Sequence, residues 1–456
     1  MFAVLLISTA VIATVGTLCA LDGSRDVFHP LIFIGPMMVF LYTWMPWKLY
    51  MSGGLERFFD NGQLIFIATL NLLGVLAFVA CCLAVGVRSV PRNNVRRKLS
   101  PQVTKRLLIG GTITGSIGLL CWAMTIVNVG GFVNAYSSSY AGGWDDSGYI
   151  RDGSILQLIG VMTALLSRSA GGPRWPAYTM LAVFGLPWLA AALLMARRGP
   201  TFEFSIFVFM SWYVNRKKRP PLVALGLGGV CLGWLVLFLV TNRGSIYLGS
   251  SFDVKTDVGN IVESSDTGNE WIYGGGAVLS AERRDHYFWM RRYLAQILVR
   301  PIPSSIWPDK YADFGVPELL RNAGTGEGFS DTLGWKGADG SAPGIVADLW
   351  VEVWWFAIPC MGMLGWLYGW VWKKSVREGG YWVSQAVVLN AISIYLVMQT
   401  MEAVIFRSLL LSIPSWMIWH YAEKRHRKLV DWRREDFVRL DRPRLQTTMR
   451  EMEFEG

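Results

Sequence analysis

Apolar residues gather along this chain into long runs divided by short clusters of charge. A bilayer-spanning helix needs about 20 predominantly apolar residues. Runs near that length lie at 2–20, 30–50, 63–87, 107–128, 177–196, 221–241 and 345–372, with weaker ones at 153–167 and 200–214. A final stretch, 382–421, is interrupted by Glu402 and Arg407 and reads as a helical hairpin with those two charges at its turn. The pattern predicts an all-α, polytopic integral membrane protein with about eleven transmembrane helices and one long extracytoplasmic loop. Its expected parts are N-terminal membrane helices at 1–241, the loop at 242–344, C-terminal membrane helices at 345–421 and a basic tail at 422–456.

Orientation follows from Lys and Arg, which short cytoplasmic loops retain. Arg88, Arg92, Arg96, Arg97, Lys98, Lys105 and Arg106 mark one side. Threading eleven spans returns Arg216–Arg219, Lys373, Lys374, Arg377 and the tail to that same side, which puts the N-terminus outside and the C-terminus in the cytoplasm. The first run lacks a basic leading segment and a clear small-x-small cleavage site, so it reads as a retained span and not as a cleaved leader. The tail mixes both charges with Trp432 and Phe437, which suits either a helix on the anionic inner leaflet or an ordinary solvated segment.

Composition sharpens this picture. Hydrophobic residues make up 52% of the 456 and charged residues 17%, against roughly 25% charge in soluble proteins. The 22 tryptophans suit bilayer interfaces. A net charge of +10 raises the question of nucleic acid, but the cations sit in topogenic clusters and form no continuous basic face. All six cysteines lie in apolar runs, no two of the four histidines have metal-ligand spacing, and neither a Walker A loop nor a dinucleotide fingerprint is present. The expectation is therefore an activity without metal, cofactor or nucleotide, on a substrate that arrives already activated.

Three constellations carry candidate chemistry. Arg198, Arg243 and Arg407 fall near outer helix ends, and the outer positions of Arg198 and Arg407 run against the topogenic trend. Guanidinium groups at that depth suit a lipid-linked pyrophosphate, or they snorkel to lipid headgroups. Asp348 and Glu352 are four residues apart, on one face of a Trp-rich helix carrying Trp350, Trp354 and Trp355. They suit a general base for a sugar hydroxyl beside rings that stack on sugars, or acids that favour a helix N-terminus through its dipole. The run Arg300-Pro301-Ile302-Pro303 to Trp307-Pro308-Asp309-Lys310 predicts a stiff extended stretch, followed by a Gly-rich region at 324–344. Gly365 and Gly369 have small-xxx-small spacing and read as a helix-packing device.

The Arg198-Gly199 pair, the run Arg300–Lys310 and Gly344-Ile345-Val346-Ala347-Asp348-Leu349-Trp350 together resemble the bacterial oligosaccharide repeat-unit polymerases, the O-antigen polymerase type. Asp348 stands where such proteins usually have Glu, and the Arg-x10-Gly loop repeats are absent, which points to a divergent branch. The resemblance implies an inner-membrane glycosyltransferase whose site faces the periplasm or cell exterior and which polymerises undecaprenyl-pyrophosphate-linked repeat units into a surface polysaccharide or exopolysaccharide. Implied partners are the lipid-linked glycan, membrane lipids, a flippase and a chain-length regulator. By the same implication Arg198, Arg243 and Arg407 stabilise the leaving pyrophosphate, Asp348 or Glu352 orients or deprotonates the acceptor, and Arg300, Trp307, Lys310 and Glu402 bind substrate. The rival readings are an O-antigen ligase-type transferase, a lipid-linked glycan transporter and a scaffold subunit of a secretion machine.

Overall fold

The structure, a computed structural model, describes residues 1–24, 26–86, 99–137, 148–194, 198–216, 220–242, 245–250, 269–303, 306–314 and 342–423. Among these the regular structure is all helical, and nine helices are long and apolar enough to cross a membrane. In chain order the first six are α1 (Phe2–Ser24), α2 (Pro30–Met51), α3 (Asn61–Gly86), α4 (Pro101–Asn128), α5 (Ile150–Ser169) and α6 (Arg174–Leu194). Next come α7 (Arg198–Tyr213) and α8 (Leu222–Thr241), where two further spans are predicted. Within the long loop lie α9 (Asn269–Arg284) and a short helix, α10 (Arg291–Leu294), that runs into a π turn. The C-terminal group is α11 (Gly344–Val353), α12 (Ala357–Arg377), α13 (Tyr381–Ala391), α14 (Ser393–Met398) and α15 (Met401–Glu423).

Local chemistry sets several of these ends. The amide and side chain of Asp60 exchange hydrogen bonds with Gln63 (3.0 and 2.8 Å), a capping box that starts α3. Ser100 accepts from the Val103 amide, and Pro101 occupies the first turn of α4, where its missing N–H costs nothing.

The core forms where helices approach backbone to backbone. α12 lies along α3, with Gly365 against the Phe78 carbonyl and Gly369 against that of Cys82, where an added Cβ on Gly369 would stand 2.6 Å from the oxygen. The Gly365/Gly369 pair is thus a packing device, as its spacing predicts. The weakest predicted runs prove to be interior. α5 is enclosed by α4, α6 and α7, and its Gln157 donates to the Gly118 carbonyl at 3.3 Å. A helix that meets protein on all sides tolerates polar atoms that lipid would not.

Three expectations need correction. The run at 345–372 is not one helix: Trp354 has φ +52°, and a 3-10 turn at Trp354–Phe356 separates α11 from α12. The 34 residues from Gly344 to Arg377 would extend about 51 Å as one helix, beyond the ~30 Å hydrocarbon core, whereas α12 alone suffices for a crossing. Glu402 and Arg407 do not form the hairpin turn, which falls at Gln399–Thr400 and leaves both charges inside α15. The stretch at 300–310 is folded back and not extended, because the buried Lys310 ammonium donates to the carbonyls of Arg300 and Ile302. The region 315–341 and the tail from 424 lie outside the described residues.

The long loop also packs onto the membrane helices. α9 lies against α11, and its Trp271 meets Phe2 of α1 and Phe59 edge to face. After α9 the chain reverses through Asp285, Trp289 and Met290, all with positive φ. The Phe288 and Trp289 amides donate to the carbonyls of Val351 and Glu352 at 3.1 and 2.7 Å, fixing that reversal to the end of α11. This places Arg292 beside the acids of α11.

Candidate functional site

Arg292 is the hub of a buried ion cluster. Its Nε donates to Glu352 Oε1, its Nη2 to Asp348 Oδ1 at 2.6 Å, and its Nη1 stands 3.9 Å from Glu402 Oε1. Asp348 Oδ2 accepts from the Tyr293 hydroxyl at 2.5 Å and from the Met401 amide at 2.9 Å, which pins the start of α15. Burial opposes the charge on Arg292, but Asp348, Tyr293, Glu352 and Glu402 outweigh it and hold its pKa well above the usual arginine value. Burial and the charge of Asp348 likewise push the Tyr293 hydroxyl well up, so it remains a donor. Asp348 and Glu352 do share one helical face, as their spacing predicts. That face, however, meets Arg292, and every oxygen of Asp348 is already engaged.

Glu402 links this cluster to a cavity of about 430 Å³. Its walls come from α4, the segment at 151–155, α6, the start of α7, the π turn after α10 with Arg300, and α14, Thr400 and the start of α15. Arg151, Arg300 and Arg407 all line it, together with Asp152 and Glu402. Arg300 is bound to Asp152 at 2.5 Å and to Gln296 at 3.0 Å, and its guanidinium lies 3.9 Å from the Phe406 ring centre. Arg407 stacks 3.8 Å from the centre of the Tyr395 ring, and the Tyr395 hydroxyl donates to the buried Glu203 at 3.3 Å. Stacking fixes both guanidinium planes; Arg300 uses Nη1 and Nη2 on Gln296 and Asp152, whereas the buried Arg407 Nε has no hydrogen-bond partner. Glu402 is buried, and its Oε1 accepts no hydrogen bond.

No family model, curated protein or solved structure matches this chain.

Of the residues singled out in the sequence, the structure brings Arg300, Arg407 and Glu402 to one cavity and places Asp348 and Glu352 behind it. Arg198 opens α7 two residues before the cavity-lining Pro200, but its side chain is outside the description, and Arg243 lies outside the described residues. Trp307 donates to Asp313 at 2.6 Å and does not line the cavity. Lys310 is spent on closing the turn that begins at Arg300. Trp350 is fully buried against Phe66 and Trp355, while Trp354 and Trp355 remain partly exposed.

Other residues of the site are less legible in the sequence. Arg292 is one of an Arg pair in a long loop, and no spacing singles it out. Glu203 could have been found, because an acid within an apolar run is a functional candidate by default. Arg151 and Asp152 adjoin a weak apolar run, and nothing local connects them with residues 150 to 250 positions further on.

Proposed function

We propose that this chain is a membrane glycosyltransferase that polymerises undecaprenyl-pyrophosphate-linked oligosaccharide repeat units on the extracytoplasmic face. The observation that carries the reading is the cavity in which Arg151, Arg300 and Arg407 converge beside Glu402. Every segment lining it sits at the helix ends opposite the basic clusters in the eleven-span threading, in which α7 and α8 also cross the membrane. Two fixed, stacked guanidinium groups and a third arginine suit a pyrophosphate, whose charge grows as the bond to the sugar breaks.

In this mechanism the acceptor sugar hydroxyl of a new lipid-linked unit attacks the anomeric carbon of the growing glycan. The bond from that carbon to the phosphate oxygen breaks, and undecaprenyl pyrophosphate leaves with the bonding pair. Glu402, whose Oε1 has no hydrogen-bond partner, takes the hydroxyl proton. Asp348 and Glu352 hold Arg292, and Arg292 orients Glu402, so the two acids act one step away from the substrate. A flippase supplies the units, and a chain-length regulator would act on the same face.

The test uses a deletion strain complemented with variants. Arg300→Ala and Arg407→Ala should each leave single repeat units on the lipid carrier and lower polymer output by about 10²–10³, the scale of losing one preorganised donor. Arg407→Lys should not restore it, since an ammonium cannot stack and bind bidentately. Full-length polymer from both alanine variants would overturn the proposal, and polymer retained on its carrier in the deletion strain would show a ligase instead.

A further inference from the structure

A second concavity lies at the other end of α4. It is a groove between α4 and α6, about 1390 Å³ in volume, with a mostly apolar lining that contains no acid. Its floor closes where Thr112 reaches Met180 at 3.4 Å. Its rim carries Ser100, Thr104 and the exposed Lys105, with Trp175, 82% exposed, on the facing helix and Arg174 beside it. The rim belongs to the end of the bundle that bears the basic segment 88–106, whereas the arginine-lined cavity meets α4 at Trp122, near its opposite end.

We infer that this groove binds an anionic phospholipid of the leaflet on the basic side, with one acyl chain between α4 and α6 and the phosphate at Lys105 and Arg174. Three observations favour that occupant. First, both walls are helices apolar enough to span a membrane, so lipid is what meets an open groove there. Second, the depth fits: Lys105 to Ile113 is eight residues, about 12 Å along a helix, close to half of a ~30 Å hydrocarbon core. That is one leaflet's chain and not a long polyprenyl tail. Third, the charge is complementary, because basic pockets between membrane helices on the cytoplasmic side select anionic headgroups, and an exposed Trp marks the headgroup level. The inference rests on the membrane-spanning reading and is independent of the glycan chemistry.

The full chain, purified in detergent, is titrated with phosphatidylglycerol or phosphatidylcholine and followed by native mass spectrometry. Wild-type protein should retain one phosphatidylglycerol at least tenfold more tightly than phosphatidylcholine, and inorganic phosphate should neither bind nor compete. Lys105→Gln, an exposed change that spares the fold, should weaken phosphatidylglycerol about fivefold, the worth of one surface cation. Thr112→Trp should fill the groove and abolish retention of the tight lipid. Equal retention of the two lipids by wild type, unchanged retention in Lys105→Gln, or phosphate binding on its own would each overturn the inference. None of these outcomes bears on polymer formation.

Discussion

At the residue scale, the account turns on one buried arginine serving three carboxylates. Arg292, 4% exposed, holds Asp348 and Glu352 directly and Glu402 at longer range. Removing one partner of a buried ion pair leaves an uncompensated charge, which costs about 3–5 kcal/mol. Arg292→Ala should therefore lower the thermal unfolding temperature of the detergent-solubilised protein strongly, while Arg291→Ala, one position away on an exposed side chain, should not. Equal melting temperatures for the two would contradict the cluster. The i, i+4 spacing of Asp348 and Glu352 puts both on one helical face, where both meet Arg292. It could not tell what they face. That depends on a chain reversal at Asp285–Met290 whose positive φ angles no glycine announces.

At the element scale, hydropathy located the helices and misjudged their ends. The strongly apolar, largely exposed helix α1 is easy to read, while α5 and the segment Tyr381–Met398 are less apolar and far more enclosed by protein. A run surrounded by other helices need not be uniformly apolar, so the spans hardest to see are those that build the site's walls. The break at Trp354 was invisible, because a Trp with φ +52° has no local signature, unlike a Gly or Pro. The seam between α3 and α12 was legible from Gly365-xxx-Gly369 alone. A side chain at 365 would strike the Phe78 carbonyl oxygen, a backbone atom that cannot swing aside. Gly365→Val should destabilise the protein by about 1–3 kcal/mol or more through overpacking, measured as a fall in melting temperature. Gly226→Ala on α8, where an added Cβ meets nothing within 4 Å, should be neutral.

At the scale of the whole molecule, α4 connects two sites of opposite character: the apolar groove near its start and the arginine-lined cavity near its end. The topogenic charges legible in the sequence predict that these lie on opposite membrane faces. Cysteine scanning tests that arrangement. Asp285→Cys, in the exposed turn after α9, should react with a membrane-impermeant maleimide in intact spheroplasts, and Lys105→Cys only after permeabilisation. The reverse pattern would invert the topology and remove the cavity from the extracytoplasmic face. What sequence could not supply was the convergence of Arg151, Arg300 and Arg407, since such long-range closures are set by packing and not by local pattern. The most direct test of the central claim is therefore the reaction itself: purified protein in lipid vesicles, given undecaprenyl-pyrophosphate-linked repeat units without nucleotide sugar. The account predicts that wild-type protein builds a ladder of polymer on the lipid carrier with release of undecaprenyl pyrophosphate, and that Glu402→Gln binds the units but forms no ladder. Unconsumed units with wild-type protein, or an undiminished ladder with Glu402→Gln, would contradict it.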